Sequence, residues 1–242
     1  MTTLVIGASG ATGRLLVEEL LKSGQKLQIV VRSLDSLSKT VKNHENVSVI
    51  QASILDLSDA EMVKLVQECS VVASCLGHNL TLQGMFGGPR RLVADATRRL
   101  CNAIRANEPI EPTKFVLMNT TGNSNRDLDE HISFGQKCVM RVVRLLLPPH
   151  VDNEKAAEYL RTNVGQNDPV IEWAAVRPDG LVDRTEVTDY EIHKSPTRSA
   201  IFDAGTTSRI NVAYFMASLI NDNNIWQMWK GQMPVIYNKA SS

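Results

Sequence analysis

The sequence predicts a doubly wound α/β fold, with helices on both faces of a mostly parallel sheet. Three observations predict it. Short apolar runs alternate with amphipathic stretches along most of the chain. The runs are almost continuously apolar, as strands buried on both faces must be. The first of them, Leu4-Val5-Ile6, enters a helix through the glycine-rich turn Gly7-Ala8-Ser9-Gly10-Ala11-Thr12-Gly13.

The remaining elements follow in order. The first helix ends at Ser23-Gly24, and residues 27–31 and 46–50 read as the second and third strands. Ser58 with Glu61 three residues on makes a capping box that opens a helix to about Glu68. Residues 70–74 form a fourth strand. A long helix covers 89–106, with Leu92, Ala96, Leu100 and Ala103 at helical spacing. Residues 114–118 and 170–176 are the fifth and sixth strands. A helix bounded by Ser133 and Leu147 puts Phe134, Cys138, Val142, Leu145 and Leu146 on one face and Lys137, Arg141 and Arg144 on another; Pro148-Pro149 ends it. After Asp183 the pattern loosens. A short strand near 200–202 and a helix over 212–220 are expected, and residues 184–242 are expected to form a small substrate-covering lobe on a single domain spanning 1–242.

Bulk properties narrow the function. The 26 basic and 26 acidic residues cancel, so no global field draws nucleic acid or an anionic membrane. No apolar stretch approaches the roughly 20 residues of a membrane span. The first strand begins within a few residues of Met1, and Cys69, Cys75, Cys101 and Cys138 show no paired spacing. These points lead to the expectation of a cytoplasmic protein with reduced thiols and no metal. Trp226 and Trp229 are expected to pack the last helix and strand.

The glycine turn has a narrow chemistry. Gly7 allows a sharp exit from the strand, Gly10 a close approach to phosphate, and Gly13 tight packing of helix on strand. The helix N-terminus then offers unpaired N–H groups and the positive end of its dipole, so the turn predicts a dinucleotide site. At the end of the second strand stand Arg32 and Ser33, where an NAD site usually has an acidic residue on the ribose. A guanidinium there forks onto a 2′-phosphate. NADP(H) is therefore the expected cofactor; NAD(H), held through Asp35, is the less favoured one. Ligands of such sheets bind at the carboxyl ends of the strands. That places function in the loops 7–13, 32–35, 53–56, 75–88, 119–125 and 177–183.

The GxxGxxG spacing with an arginine after the second strand resembles the atypical short-chain dehydrogenase/reductase superfamily. More closely it is similar to its NAD(P)H-binding, NmrA-like and biliverdin/flavin reductase-like group. The resemblance implies a Rossmann-type NAD(P)-binding fold and several contacts. Ser9, Ala11 and Thr12 would line the phosphate turn, and Ser53 and Ile54 would border the adenine, with Ser53 in the family's acidic slot. Cys75-Leu76-Gly77-His78 would run beside the ribose and phosphates. Pro178, Gly180 and Leu181, in the family's "VRP-x-x-L" stretch, would lie near the nicotinamide. Ser208-Arg209-Ile210-Asn211-Val212-Ala213 is similar to its "SR-x-DVA" helix start. After the fifth strand, Asn119 would touch the cofactor, and Thr120 or Thr121 takes the place of the superfamily's active-site serine.

The superfamily's Tyr-x-x-x-Lys pair is incomplete. Lys155 fills the lysine position, but Val151 stands where the tyrosine belongs, and Tyr159 lies on the wrong side of the lysine. Thr120, Thr121 and Lys155 are therefore the candidate catalytic set, without a phenol to move a proton. This favours hydride transfer from a nicotinamide to a small conjugated acceptor of flavin, quinone or enone type. The alternative is a non-catalytic NADP(H) sensor that reports to a protein partner, or dimerises, through the helix from Ser133 to Leu147. His78 reads either as a residue that reaches cofactor or substrate or as a surface-loop histidine, and Leu80 to Gly88, containing Met85-Phe86, either as a gate or as an ordinary long loop.

Overall fold

β1 (Thr2–Ile6) is buried on both faces and sets the layering: Leu4 and Ile6 belong to one core cluster and Val5 to the other. The computed structural model describes residues 1–78, 87–128, 130 and 133–239, with the side chains of 134 and 137 left out. Residues 80–86 of the expected gate at 80–88, and the flanking residue 79, thus lie outside the described residues.

The first half of the sheet is built from β1, β2 (Lys26–Val31), β3 (Val47–Gln51) and β4 (Val71–Ser74). The second half is β5 (Thr113–Met118), β6 (Ile171–Pro178), β8 (Tyr190–His193) and β10 (Val235–Asn238). The order is β3-β2-β1-β4-β5-β6-β10-β8. All neighbours pair in parallel except the edge strand β8, which runs antiparallel to β10. The order reverses between β1 and β4, and the carboxyl ends of these two strands open the crevice where such sheets bind ligands.

Helix α1 (Ala11–Lys22) covers one face together with α7 (Arg209–Asn221). Leu16, Val17 and Leu20 of α1 share a cluster there with Val212, Phe215 and Met216 of α7. The other face carries α3 (Asp59–Val66), α4 (Leu92–Asn107) and α6 (Pro148–Tyr159). The capping box at the start of α3 is present, with Ser58 Oγ accepting from Glu61 N–H at 3.2 Å and the Glu61 carboxylate from Ser58 N–H at 2.7 Å. Trp226 and Trp229, on α8 (Asn223–Trp229), are buried in the core.

Two expectations are corrected. Residues 200–202 form a turn, because Ser199 Oγ accepts from Phe202 N–H at 3.1 Å and draws the backbone into a local loop. The strand lies later, at β9 (Thr206–Ser208), paired with β7 (Gly180–Val182). The segment after Asp183 is mostly core: β8 and β10 widen the sheet and α7 packs on α1. The β7–β9 pair and the loop around 194–205 follow the carboxyl end of β6. Finally, α5 (Phe134–Leu146) matches the expected helix and is capped by Ser133, but Pro148 also opens α6 directly, since proline suits a first helical turn. Val142, Leu145 and Leu146 of α5 are exposed. Among the described residues, no helix is long and apolar enough to cross a membrane.

Candidate functional site

The glycine turn is a cradle that side chains would fill. Gly7 has φ +75°, and a Cβ there would stand 2.6 Å from the Cys75 carbonyl. A Cβ on Gly13 would lie 2.0 Å from the Gly7 oxygen, so only glycine lets α1 sit this close to β1. Gly10 donates its N–H to Gly7 O at 3.0 Å and closes the turn. It is also the N-cap of α1, with no side-chain cap and no acidic residue in the first turn. The first N–H groups of α1 are thus left to an anion, with the helix dipole behind them.

These residues open onto a cleft of about 620 Å³. Its floor at the turn is Gly7, Ser9, Gly10, Ala11 and Thr12. On the β2–β3 side it is bordered by Arg32, Ala52, Ser53 and Ile54, and on the β4 side by Cys75, Leu76, Gly77 and His78. Met118, Leu181 and Arg209 line it from beyond. Arg32 and Arg209 are cationic, and none of the described lining residues is a carboxylate. A dinucleotide's phosphates meet positive charge and backbone donors here, so the lining fits that cofactor. Asp35 does not enter the cleft; its carboxylate is fully exposed, 3.9 Å from Lys42. Cys75 stays a thiol, because burial pushes its pKa up to about 12.

Other expected site residues are not among the described residues that line the cleft. Ser33 caps a short turn, accepting from Asp35 N–H at 3.3 Å. Asn119 is buried; it donates to Asn153 O at 2.9 Å and accepts from Thr120 N–H at 2.9 Å, tying the end of β5 to α6. Thr120 Oγ1 accepts from Gly122 N–H at 3.3 Å. Thr121 donates its N–H to Pro178 O and borders a separate cavity of about 290 Å³ with Ser124, Ser133 and Gln136. Gly13 and Gly180 serve close packing; a Cβ on Gly180 would meet Gly205 O at 2.9 Å. Lys155 is exposed on α6 and is not among the described residues that line the cleft. Tyr159 faces α4, with its hydroxyl 3.3 Å from Asn102 Oδ1.

Sequence reasoning gave Arg209 only a place in a family motif, not in the site. It reaches the cleft from the start of α7, where Asp183 holds its Nη1 at 2.9 Å. It also missed the partner of His78. His78 Nε2 lies 2.8 Å from Asp152 Oδ2, and both side chains are nearly inaccessible. The only signal for this was that Asp152 directly follows the vacant tyrosine position.

The sequence profile of an NAD(P)H-binding family matches residues 7–223. Solved structures share the whole fold at low identity. A short-chain dehydrogenase/reductase from Veillonella parvula DSM 2008, solved in complex with NADP, is 17% identical, with a TM-score of 0.70 over 99% of this chain and 95% of that one. The anaerobillin reductase ChuY from Escherichia coli O157:H7 is 17% identical, with a TM-score of 0.69 over 100% and 99%. The oxidoreductase ylbE from Lactococcus lactis is 15% identical, with a TM-score of 0.69 over 100% and 93%. At these identities the likeness is one of fold. No curated protein sequence matches.

Proposed function

The chain belongs to this NAD(P)H-binding family, and on that premise we propose that it is an NADPH-dependent reductase of a small conjugated acceptor, of flavin, quinone or enone type. One observation carries the reading: an open helix N-terminus in a glycine cradle shares with Arg32, at the end of β2, a lining that has no carboxylate among the described residues. In this reading Gly7, Ser9, Gly10, Ala11 and Thr12 hold the pyrophosphate. Arg32, supported by the Ser33 turn, takes the 2′-phosphate. Ser53, uncharged where an acid would repel that phosphate, and Ile54 border the adenine. Cys75 to His78 follow the ribose and phosphates, and Leu181 and Met118 border the nicotinamide. Lys155 is assigned to the nicotinamide ribose, and Thr120 to hydrogen bonding with the acceptor. Asn119, Thr121, Pro178 and Gly180 fix the loops that carry these groups.

A reduced nicotinamide bound here supplies a hydride. The protein's share is to hold the acceptor against it and keep competing water out. Conjugated acceptors take hydride at an electrophilic centre without an acid on α6, which agrees with Val151 in the tyrosine position. The free thiols Cys69, Cys75, Cys101 and Cys138 support a reducing, cytoplasmic setting.

The exposed Val142, Leu145 and Leu146 on α5 favour a second reading, a NADP(H) sensor that docks a protein partner or a second copy there. Titration of the apo-protein with NADPH and NADH, followed by nicotinamide fluorescence, tests the shared premise. Tighter NADPH binding with turnover of FMN, a quinone or an enone supports the reductase. Tight binding without turnover over that panel supports the sensor, and a preference for NADH removes the 2′-phosphate assignment.

A further inference from the structure

We propose that His78 donates the proton in the reduction and that Asp152 positions it; this rests on the reductase reading above. The α6 helix carries Lys155 but has Val151 at the tyrosine position, so the phenol that would protonate a reduced carbonyl oxygen is missing there. One residue after the vacant position, Asp152 turns its carboxylate inward, where its side chain is fully buried. Two backbone donors at the start of α4 pin it, Val93 N–H at 2.8 Å and Ala94 N–H at 3.0 Å. The third contact is His78 Nε2 at 2.8 Å.

A carboxylate only accepts, so the ring gives it Nε2–H, and this selects the tautomer. Nδ1 is then the ring nitrogen not taken by Asp152, on a residue that borders the cleft, and the proposal makes it the working atom. The charges around the ring are few. Asp152 faces it from α6. The first turn of α4 contributes backbone N–H groups, while Arg91 and Asp95 pair with each other at 3.7 Å. Arg32 and Arg209 are the other charged lining residues among those described. Tying α6 to α4 requires only Asp152 and the two N–H groups. A ring on the cleft side of that carboxylate adds nothing to the tie, and it supplies a held acid.

With an enone the step balances as follows. The hydride adds to the β-carbon, the π electrons move to the carbonyl oxygen, and that oxygen takes the proton from Nδ1 of the His78 imidazolium. The ring regains a proton from solvent, so one NADPH and one proton are consumed for each acceptor reduced. An oxidised flavin takes hydride at a ring nitrogen and spreads the resulting charge, so its reduction depends far less on a positioned acid.

Two measurements test this in the full chain. Histidine-selective 15N spectra of the apo-protein, with the His78 signals assigned by their loss in His78→Gln, are expected to show Nε2 protonated in the neutral ring. Asp152→Asn is expected to mix the tautomers. In turnover with NADPH, His78→Gln is expected to lower the ratio of cyclohexenone to FMN reduction about 10²-fold, the ordinary scale of a general acid; Asp152→Asn should lower it less. An unchanged ratio in His78→Gln, or an Nδ1–H tautomer in the wild type, overturns the proposal. So does a wild type that binds NADPH and reduces FMN but no enone, which leaves the reductase reading standing. A wild type that binds neither nicotinamide overturns both.

Discussion

Arg177 on β6 and Glu130 in the loop after β5 form a buried ion pair, Nη2 to Oε1 at 2.7 Å, with side chains 0% and 4% exposed. The same guanidinium donates to the carbonyls of Met233, Asn123 and Lys194, and Glu130 accepts from Asn125 N–H at 2.9 Å. The loop after β5, the residue after β8 and the approach to β10 are thus held by one side chain. The arginine of the "VRP" stretch fixes the loops around the site and does not enter the cleft.

Removing one member of this pair leaves the other buried and uncompensated. Arg177→Met is expected to destabilise the fold by about 3–5 kcal/mol. Arg177→Met with Glu130→Gln is expected to recover part of that loss. Urea unfolding of the three proteins checks this; a single variant within about 1 kcal/mol of wild type would sink the clamp assignment.

Arg32→Ala is expected to weaken NADPH by about 1.5–3 kcal/mol, roughly 10- to 150-fold, and NADH much less. Only NADPH carries the 2′-phosphate that the proposed reading assigns to the guanidinium. Parallel fluorescence titrations read the difference, and equal losses would place Arg32 outside the phosphate contact.

The glycines of the turn should separate by phenotype. Gly13→Ala drives a Cβ into Gly7 O at 2.0 Å, so α1 must shift away from β1; loss of thermal stability is expected. Gly10→Val meets protein less closely, Gly7 O at 3.2 Å. It projects toward the phosphate position and should cost cofactor binding while the fold persists. A melting curve and an NADPH titration on each variant distinguish these outcomes. Tight NADPH binding by Gly10→Val would move the phosphate elsewhere.

Glu154 on α6 grips Arg144 of α5 in a fork at 2.7 and 2.9 Å. Burial alone would raise its pKa from 4.5, but His150 and Arg144 outweigh it and bring the carboxyl to about 2. A folded-state pKa below the unfolded one stabilises the protein above about 4.5, and the gain fades as the pH falls toward about 2. Glu154→Gln is expected to cost about 1–2 kcal/mol at neutral pH. Melting both proteins across this range should show the gap closing in acid. A gap independent of pH would mean that the ion pair is not its source.

Legibility followed the range of the forces involved. The passage from β1 through Gly7, Gly10 and Gly13 into α1, Arg32 at the end of β2, the Ser58–Glu61 box and the bounds of α5 all appear in the sequence. Each depends on backbone sterics, capping or periodicity within a few residues, so neighbouring side chains suffice to determine it. The turn at 200–202 was misread as a strand because an apolar run outweighed Ser199, whose hydroxyl competes locally for the backbone. Sheet order and the partners it creates were beyond such reading. Arg209 enters the cleft because α7 packs on α1, His78 meets Asp152 across 74 residues, and Lys155 is exposed although its motif position was clear. By itself the sequence determined a glycine turn into a helix, an arginine at the end of β2 and the absence of a tyrosine at position 151. The tertiary structure alone decided which distant side chains share that cleft, because burial of two apolar faces against one sheet, and not local preference, sets which segments meet.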